Sequence, residues 1–189
     1  MSLEEPRGPY VFDTSAESWL ARSDSQEVQS WLIGYLERYP LFVSAVTVIE
    51  RLNGYNLALR KADGQKQDLL RQRRASYVGD PERVLAMDLS VAAVAAELLA
   101  WVPDPPSPPK RSHLGAESRT ARLARWRFDV IVAATALANR LPVMHNNPED
   151  FEALRMVLEI NPERLDGVGP LDLFRCTRIG SRQRSSAGR

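Results

Sequence analysis

Apolar residues in this chain follow two rhythms. The short runs Tyr10-Val11-Phe12, Leu41-Phe42-Val43 and Val84-Leu85-Ala86-Met87 have the length and side-chain types of buried strands, as does Leu141-Pro142-Val143-Met144-His145. Between them, apolar positions recur at helical spacing over longer stretches. Val28, Trp31, Leu32 and Tyr35 do so within 26–38, behind Ser23-Asp24-Ser25 as capping residues, and Pro40 ends that helix. Further helices are predicted over 46–61, 65–77, 89–101, 117–140 and 148–154, with a fifth strand at Met156 to Ile160. Strand followed by helix, repeated, predicts an α/β fold on a parallel sheet.

Two stretches break the rhythm. Five of the seven residues from Pro103 to Pro109 are proline, and Ser112, Gly115 and Ser118 follow, which marks 103–118 as an excursion running from order into mobility, not a domain boundary. The helix after it is basic in its first half, then apolar on every side from Val130 to Ala138, so its second half is expected to be buried. From about Asn161 no strong period remains, and the tail from about Gly180 reads as disordered.

Composition narrows the picture. The chain has 189 residues, enough for one domain with a real core, and its hydrophobic and charged fractions of 44% and 26% are those of an ordinary globular protein. A net charge of +1 gives no global field to attract a polyanion, although Lys110, Arg111, Arg119, Arg122, Arg125 and Arg127 cluster and the tail is basic. Cys176 is the only cysteine, which excludes an internal disulfide framework and a thiolate zinc site and makes a reducing, cytoplasmic setting the default. No secretory signal or membrane span is expected.

Four acids stand where chemistry is expected. Asp13 ends the first strand and reads either as a helix N-cap or as a carboxylate at the C-terminal end of a sheet. Glu50 follows Thr47 by three residues, as in a capping box, yet it shares a helical face with Val46, Gly54 and Leu57, a largely apolar stripe. Asp129, one residue ahead of the apolar run, reads either as a cap of that run or, since the basic pattern sets the helix under way by Arg122, as a mid-helix acid at the edge of the core. Asp150 follows the fourth strand in Asn147-Pro148-Glu149-Asp150, which is also a good helix start in its own right. If the first strand lies between the second and fourth, Asp13, Glu50 and Asp150 open onto one end of the sheet. Carboxylates gathered there repel by about 4 kcal/mol per close pair at an effective dielectric near 20, so they call for a divalent cation. Oxygen ligands without cysteine point to Mg²⁺ or Mn²⁺, and such ions suit phosphodiester hydrolysis.

The remaining signals are weaker. His113 sits in the excursion as a solvated side chain. His145 ends the fourth strand and reads either as a structural histidine or as a group near phosphate or base. The Arg119 to Arg127 face is a solvated face or a place for a nucleic-acid backbone. Trp19, Trp31 and Trp101 read as core or partner contacts.

Taken in order, these motifs resemble the PIN domain, and within it the VapC-like toxin branch of PIN ribonucleases. Phe12-Asp13-Thr14-Ser15 resembles the family's opening Asp-Thr-Asn/Ser motif, and Ser44-Ala45-Val46-Thr47 with Glu50 its Ser-x-x-Thr-x-x-Glu helix start. Asp129 to Ala136 resembles its Asp-x-x-Ile-Ala-Ala-Thr-Ala helix, and Asn147 with Asp150-Phe151 its closing Asn-x-x-Asp-Phe. The likeness covers 8–160, leaving 161–189 as a C-terminal extension. It implies an α/β/α sandwich with a parallel, roughly five-stranded sheet, and a Mg²⁺-dependent endoribonuclease site. Asp13 and Asp129 would be the principal metal ligands, Glu50 and Asp150 would complete the acidic set, and Thr14, Ser15, Thr47, His145 and Asn147 would support it. It further implies an RNA substrate, a protein antitoxin and a homodimer. His145 departs from the pattern, standing where the family has Ser or Thr. A PIN nuclease of RNA processing without an antitoxin, and a degenerate module that binds RNA or protein, are the alternatives. A haloacid-dehalogenase-type phosphatase is set aside because it wants a second acid where Ser15 stands.

Overall fold

The computed structural model describes residues 7–112, 115–161 and 168–175. Along them run β1 (Val11–Phe12), α1 (Thr14–Arg22), α2 (Gln26–Leu36), β2 (Phe42–Ser44), α3 (Ala45–Leu59) and α4 (Gly64–Val78). A 3-10 turn (Pro81–Arg83) leads into β3 (Val84–Leu85) and α5 (Leu89–Trp101). The excursion carries β4 (Arg111–Ser112) and β5 (Gly115–Ala116), followed by α6 (Arg119–Ala138), β6 (Val143–His145), α7 (Pro148–Ile160) and β7 (Leu173–Arg175).

Five strands form one sheet in the order β3-β2-β1-β6-β7, each pair parallel, while β4 and β5 make a small antiparallel hairpin. The chain steps outward from β1 to β2 to β3, then returns to the other side of β1 for β6. Strand order therefore reverses between β1 and β6, where parallel sheets open a crevice at their carboxyl ends.

Alternation along the strands divides the core in two. Val11 and Val143 face Leu98 of α5 and Trp126, Val130 and Ala133 of α6. Tyr10, Phe12, Val43 and Met144 face Leu20 of α1 and Val28, Trp31 and Tyr35 of α2. Each large apolar side chain withdrawn from water on either face contributes roughly 1.5–3 kcal/mol. This is the expected α/β/α sandwich. Trp126, fully buried, also satisfies its indole N–H on the Val102 carbonyl at 2.8 Å, fixing α6 to the end of α5.

One strand differs from expectation. Residues 156–160 are not a strand: α7 runs on through Ile160, because Phe151, Leu154 and Leu158 continue a helical spacing toward the core while Met156 and Ile160 face outward. The fifth strand is β7, from the segment placed outside the domain. It pairs in parallel with β6 at the sheet edge, behind the buried Leu171, while Arg140, two residues past the end of α6, sits in the left-handed region, φ 54°, and turns the chain toward β6. Gly169 then lies against that turn, where a Cβ would come within 3.0 Å of the Arg140 backbone, and its N–H bonds to the Leu137 carbonyl. His113 and the tail from about Gly180 lie outside the described residues. No helix among the described residues is long and apolar enough to cross a membrane.

Candidate active site

Asp13 leaves the end of β1, and its backbone N–H extends the ladder to the Met144 carbonyl of β6 at 3.0 Å. Only 4% exposed, it caps α1: one oxygen accepts the Ala16 N–H at 2.7 Å, and the Ser15 hydroxyl donates to the carboxylate at 2.8 Å. The Ser15 oxygen in turn accepts the Asn146 N–H at 3.2 Å, joining the start of α1 to the loop after β6. The cap reading of Asp13 therefore holds, and the capping carboxylate sits at the carboxyl end of the central strand.

Glu50 approaches from α3. The helix is capped by Ser44, whose hydroxyl accepts the Thr47 N–H at 3.2 Å and lies 3.1 Å from the Thr47 hydroxyl, so no capping box forms between Thr47 and Glu50. Glu50 is instead free to receive the hydroxyl of Thr14, the residue after Asp13.

Asp129 is the eleventh residue of α6, half-buried and well inside the helix. Asn147, at the start of α7, makes no side-chain cap. Its amide nitrogen donates to Asp129 at 3.1 Å and to Asp150 at 2.6 Å, a link between α6 and α7 in place of a cap.

Asp150 is fully buried and already encircled. Ser107 donates to it from both backbone N–H and hydroxyl at 3.1 Å, and Arg125 of α6 donates at 2.9 Å. The same arginine pairs with Glu117 at 3.1 Å, and Arg122 donates to the Ser107 and Pro105 carbonyls. The excursion, expected to turn mobile, is thus clamped at Pro105 and Ser107 against α6. Half of the supposed solvated arginine face is used internally.

His145 is 1% exposed, packs on Phe151 with ring centroids 4.9 Å apart, and accepts the Asn147 N–H at Nδ1, 3.2 Å. It shapes the entry to α7 and presents no surface to a ligand.

Electrostatics orders the acids in a row. Burial, opposed by its hydrogen bonds and reinforced by the charge of Glu50, pushes Asp13 up to about 6. Burial and then the charges of Asp150 and Asp13, against the pull of Arg125, push Asp129 up to about 8. Among the described residues, no three His, Cys, Asp or Glu side chains gather tightly enough to enclose an ion by themselves. Asp13 and Asp129 still fit a divalent cation. Both are desolvated carboxylates that disfavour their own charge, and Mg²⁺ is ordinarily held by one or two carboxylates with water filling the rest.

The sequence signalled Asp13, Glu50, Asp129 and Asp150 but missed Ser107 and the internal role of Arg125. It also missed Glu17, buried one turn after Asp13, which pairs with Arg51 at 2.8 Å, although the four-residue spacing from Asp13 was visible.

The sequence matches no protein-family model, and no curated protein matches it. Solved structures share its fold. A chain of FitAcB from Neisseria gonorrhoeae is 21% identical with a TM-score of 0.56, over 89% of this chain and 98% of that one. A chain of VapBC from Salmonella typhimurium, solved bound to DNA, is 16% identical with a TM-score of 0.53, over 88% and 97%. A chain of VapBC2 from Rickettsia felis, bound to a DNA fragment from their promoter, is 12% identical with a TM-score of 0.52, over 88% and 97%. At these identities the likeness is one of fold, and it spans the sheet and its helices.

Proposed function

We propose that this protein is a Mg²⁺- or Mn²⁺-dependent endoribonuclease and the toxin of a toxin–antitoxin pair. The observation that carries the reading is the convergence of Asp13 and Asp129, from the end of β1 and the middle of α6, at the point where strand order reverses. A buried acid at the strand end and a half-buried acid whose carboxyl is raised by burial and by the charges of Asp150 and Asp13 suit such a crevice better as ligands than as packing, beyond the cap that Asp13 provides to α1. The motifs around Asp13, Glu50, Asp129 and Asp150 resemble those of VapC-like toxins, and chains of VapBC and FitAcB share the fold, which together support the toxin assignment.

In this reading Asp13 and Asp129 would hold the ion, with Glu50 of α3 completing the acidic set. When bound, the ion supplies a lowered water pKa and stabilisation of the leaving oxygen. Ser15 fixes the rotamer of Asp13, Thr14 holds Glu50 beside it, and Asn147 orients Asp129. Asp150, with donors already on both oxygens, acts as a positioning residue that anchors Asn147, Arg125 and the excursion. The antitoxin, a homodimer and a cytoplasmic setting belong to the same proposal.

The toxin reading is tested by induced expression in a bacterial host. Growth arrest that disappears with Asp13→Asn, at equal soluble protein, is the expected result. Unimpeded growth with abundant folded wild-type protein would remove the toxin assignment.

A further inference from the structure

Resting on the ribonuclease reading, we infer that the cleft bounded by Arg51, Tyr55, Arg73, Tyr77 and Arg83 is a subsite for a nucleotide of single-stranded RNA flanking the scissile phosphate. The cleft is a shallow groove of about 520 Å³, largely open to solvent, between α1, α3, α4 and the 3-10 turn. It begins one helical turn from the acids: Glu17 follows Asp13 by four residues on α1, and Arg51 adjoins Glu50 on α3.

Charge is the first argument. A strand carrying a phosphate at every step is repelled by the acid row, so its flanking phosphates need cations nearby. On the α6 side, Arg122 and Arg125 are consumed by Pro105, Ser107, Glu117 and Asp150. On the cleft side, among the described residues, Arg73 makes no hydrogen bond or ion pair, and Arg83 uses Nη2 on the Tyr77 carbonyl at 3.1 Å without a carboxylate in ion-pair range. Glu17 and Asp80 also line the cleft, and the charge of Glu17 is met by Arg51 directly and by Arg83 at longer range, which leaves Arg73 as the cleft's cation without a partner among the described residues.

Shape is the second. Arg51 is held by Glu17 at 2.8 Å and by the Ser18 hydroxyl at 3.0 Å, with its guanidinium 5.5 Å from the Tyr55 ring centre and 5.7 Å from that of Tyr77. Arg83 lies over the Tyr77 ring at 4.2 Å, and that ring is buried, so Tyr77 backs the arginines while the half-buried Tyr55 is the ring open to a base. Aromatic rings and guanidinium planes fixed together are what unpaired bases stack on. An acidic peptide would use the arginines but has no need of the rings.

The test uses full-length protein carrying Asp129→Asn, so that the strand stays intact, and a fluorescein-labelled single-stranded RNA of mixed sequence read by anisotropy. Adding Tyr55→Ala is expected to weaken binding about tenfold, and Tyr55→Phe to bind as the parent does. Adding Arg73→Ala is expected to lower the slope of log affinity against log salt by about 1. In the cleaving wild-type background, Tyr55→Ala should raise KM with kcat unchanged. Wild-type cleavage together with parental affinity and KM in the cleft variants would overturn the subsite and leave the nuclease standing. The same RNA results with weakened binding of an acidic peptide would overturn it in favour of a protein partner. No RNA binding by the parent and no cleavage by the wild type would overturn both readings.

Discussion

Arg125 reaches Asp150 across 25 residues of chain and donates to a carboxylate with no exposure to solvent. The pair fixes α6 to α7 beside the acids, and through Ser107 it fixes the proline-rich segment as well. Removing one member of a buried pair leaves the other charge uncompensated. Arg125→Met is therefore expected to cost about 3 kcal/mol in stability, read by urea denaturation. A change within a few tenths would show that Ser107 and Asn147 suffice to hold Asp150.

The acids themselves oppose folding at neutral pH. Folded-state values of about 6 for Asp13 and about 8 for Asp129 lie above the ordinary value near 3.8. Between pH 4 and 8 the native state thus binds more protons than the unfolded chain, and stability falls as pH rises through that window. In metal-free buffer the melting temperature is expected to decline from pH 4.5 to 8.5. Asp129→Asn should flatten the decline and stabilise the protein at pH 8 by about 2 kcal/mol, discounted for its partial exposure. Thermal melts across pH check this, and a wild-type curve rising with pH would contradict it.

Metal linkage separates ligands from positioning residues. Mn²⁺ or Mg²⁺ is expected to raise the wild-type melting temperature at pH 8, since an ion bound only by the native state stabilises it. Asp129→Asn should lose the shift. Asn147→Ala should keep it but need about tenfold more metal, the usual effect of removing a group that orients a ligand. An undiminished shift in Asp129→Asn would remove Asp129 from the metal site.

What the sequence disclosed followed from local pattern. Asp13 could be placed because Val11-Phe12 is a strand and Thr14 begins a helix, and Asp129 because the apolar run behind it continues a helix already begun. Residues 156–160 read as a strand in the sequence because a short apolar run serves helix and strand equally, and only the inward positions of Phe151, Leu154 and Leu158 decide between them. Ser107 left no signal, for its partner lies 43 residues away and a serine among prolines looks like a linker. Asp150 read as an acid of a first helical turn, and its burial depends on Arg125 and Ser107, which the fold alone brings to it. Glu17 and Arg51 were hidden likewise, their pairing requiring α1 beside α3.

The central claim is that Asp13 and Asp129 hold a catalytic cation, and its most direct measurement is cleavage of total RNA by purified, partner-free protein with Mg²⁺ or Mn²⁺ against EDTA, with Asp129→Asn alongside. The expected result is cutting that requires metal and falls by at least about 100-fold in the variant, as when a group that acts on the transition state is removed. Intact RNA after incubation with folded wild-type protein and metal, or equal cutting by Asp129→Asn, would contradict it.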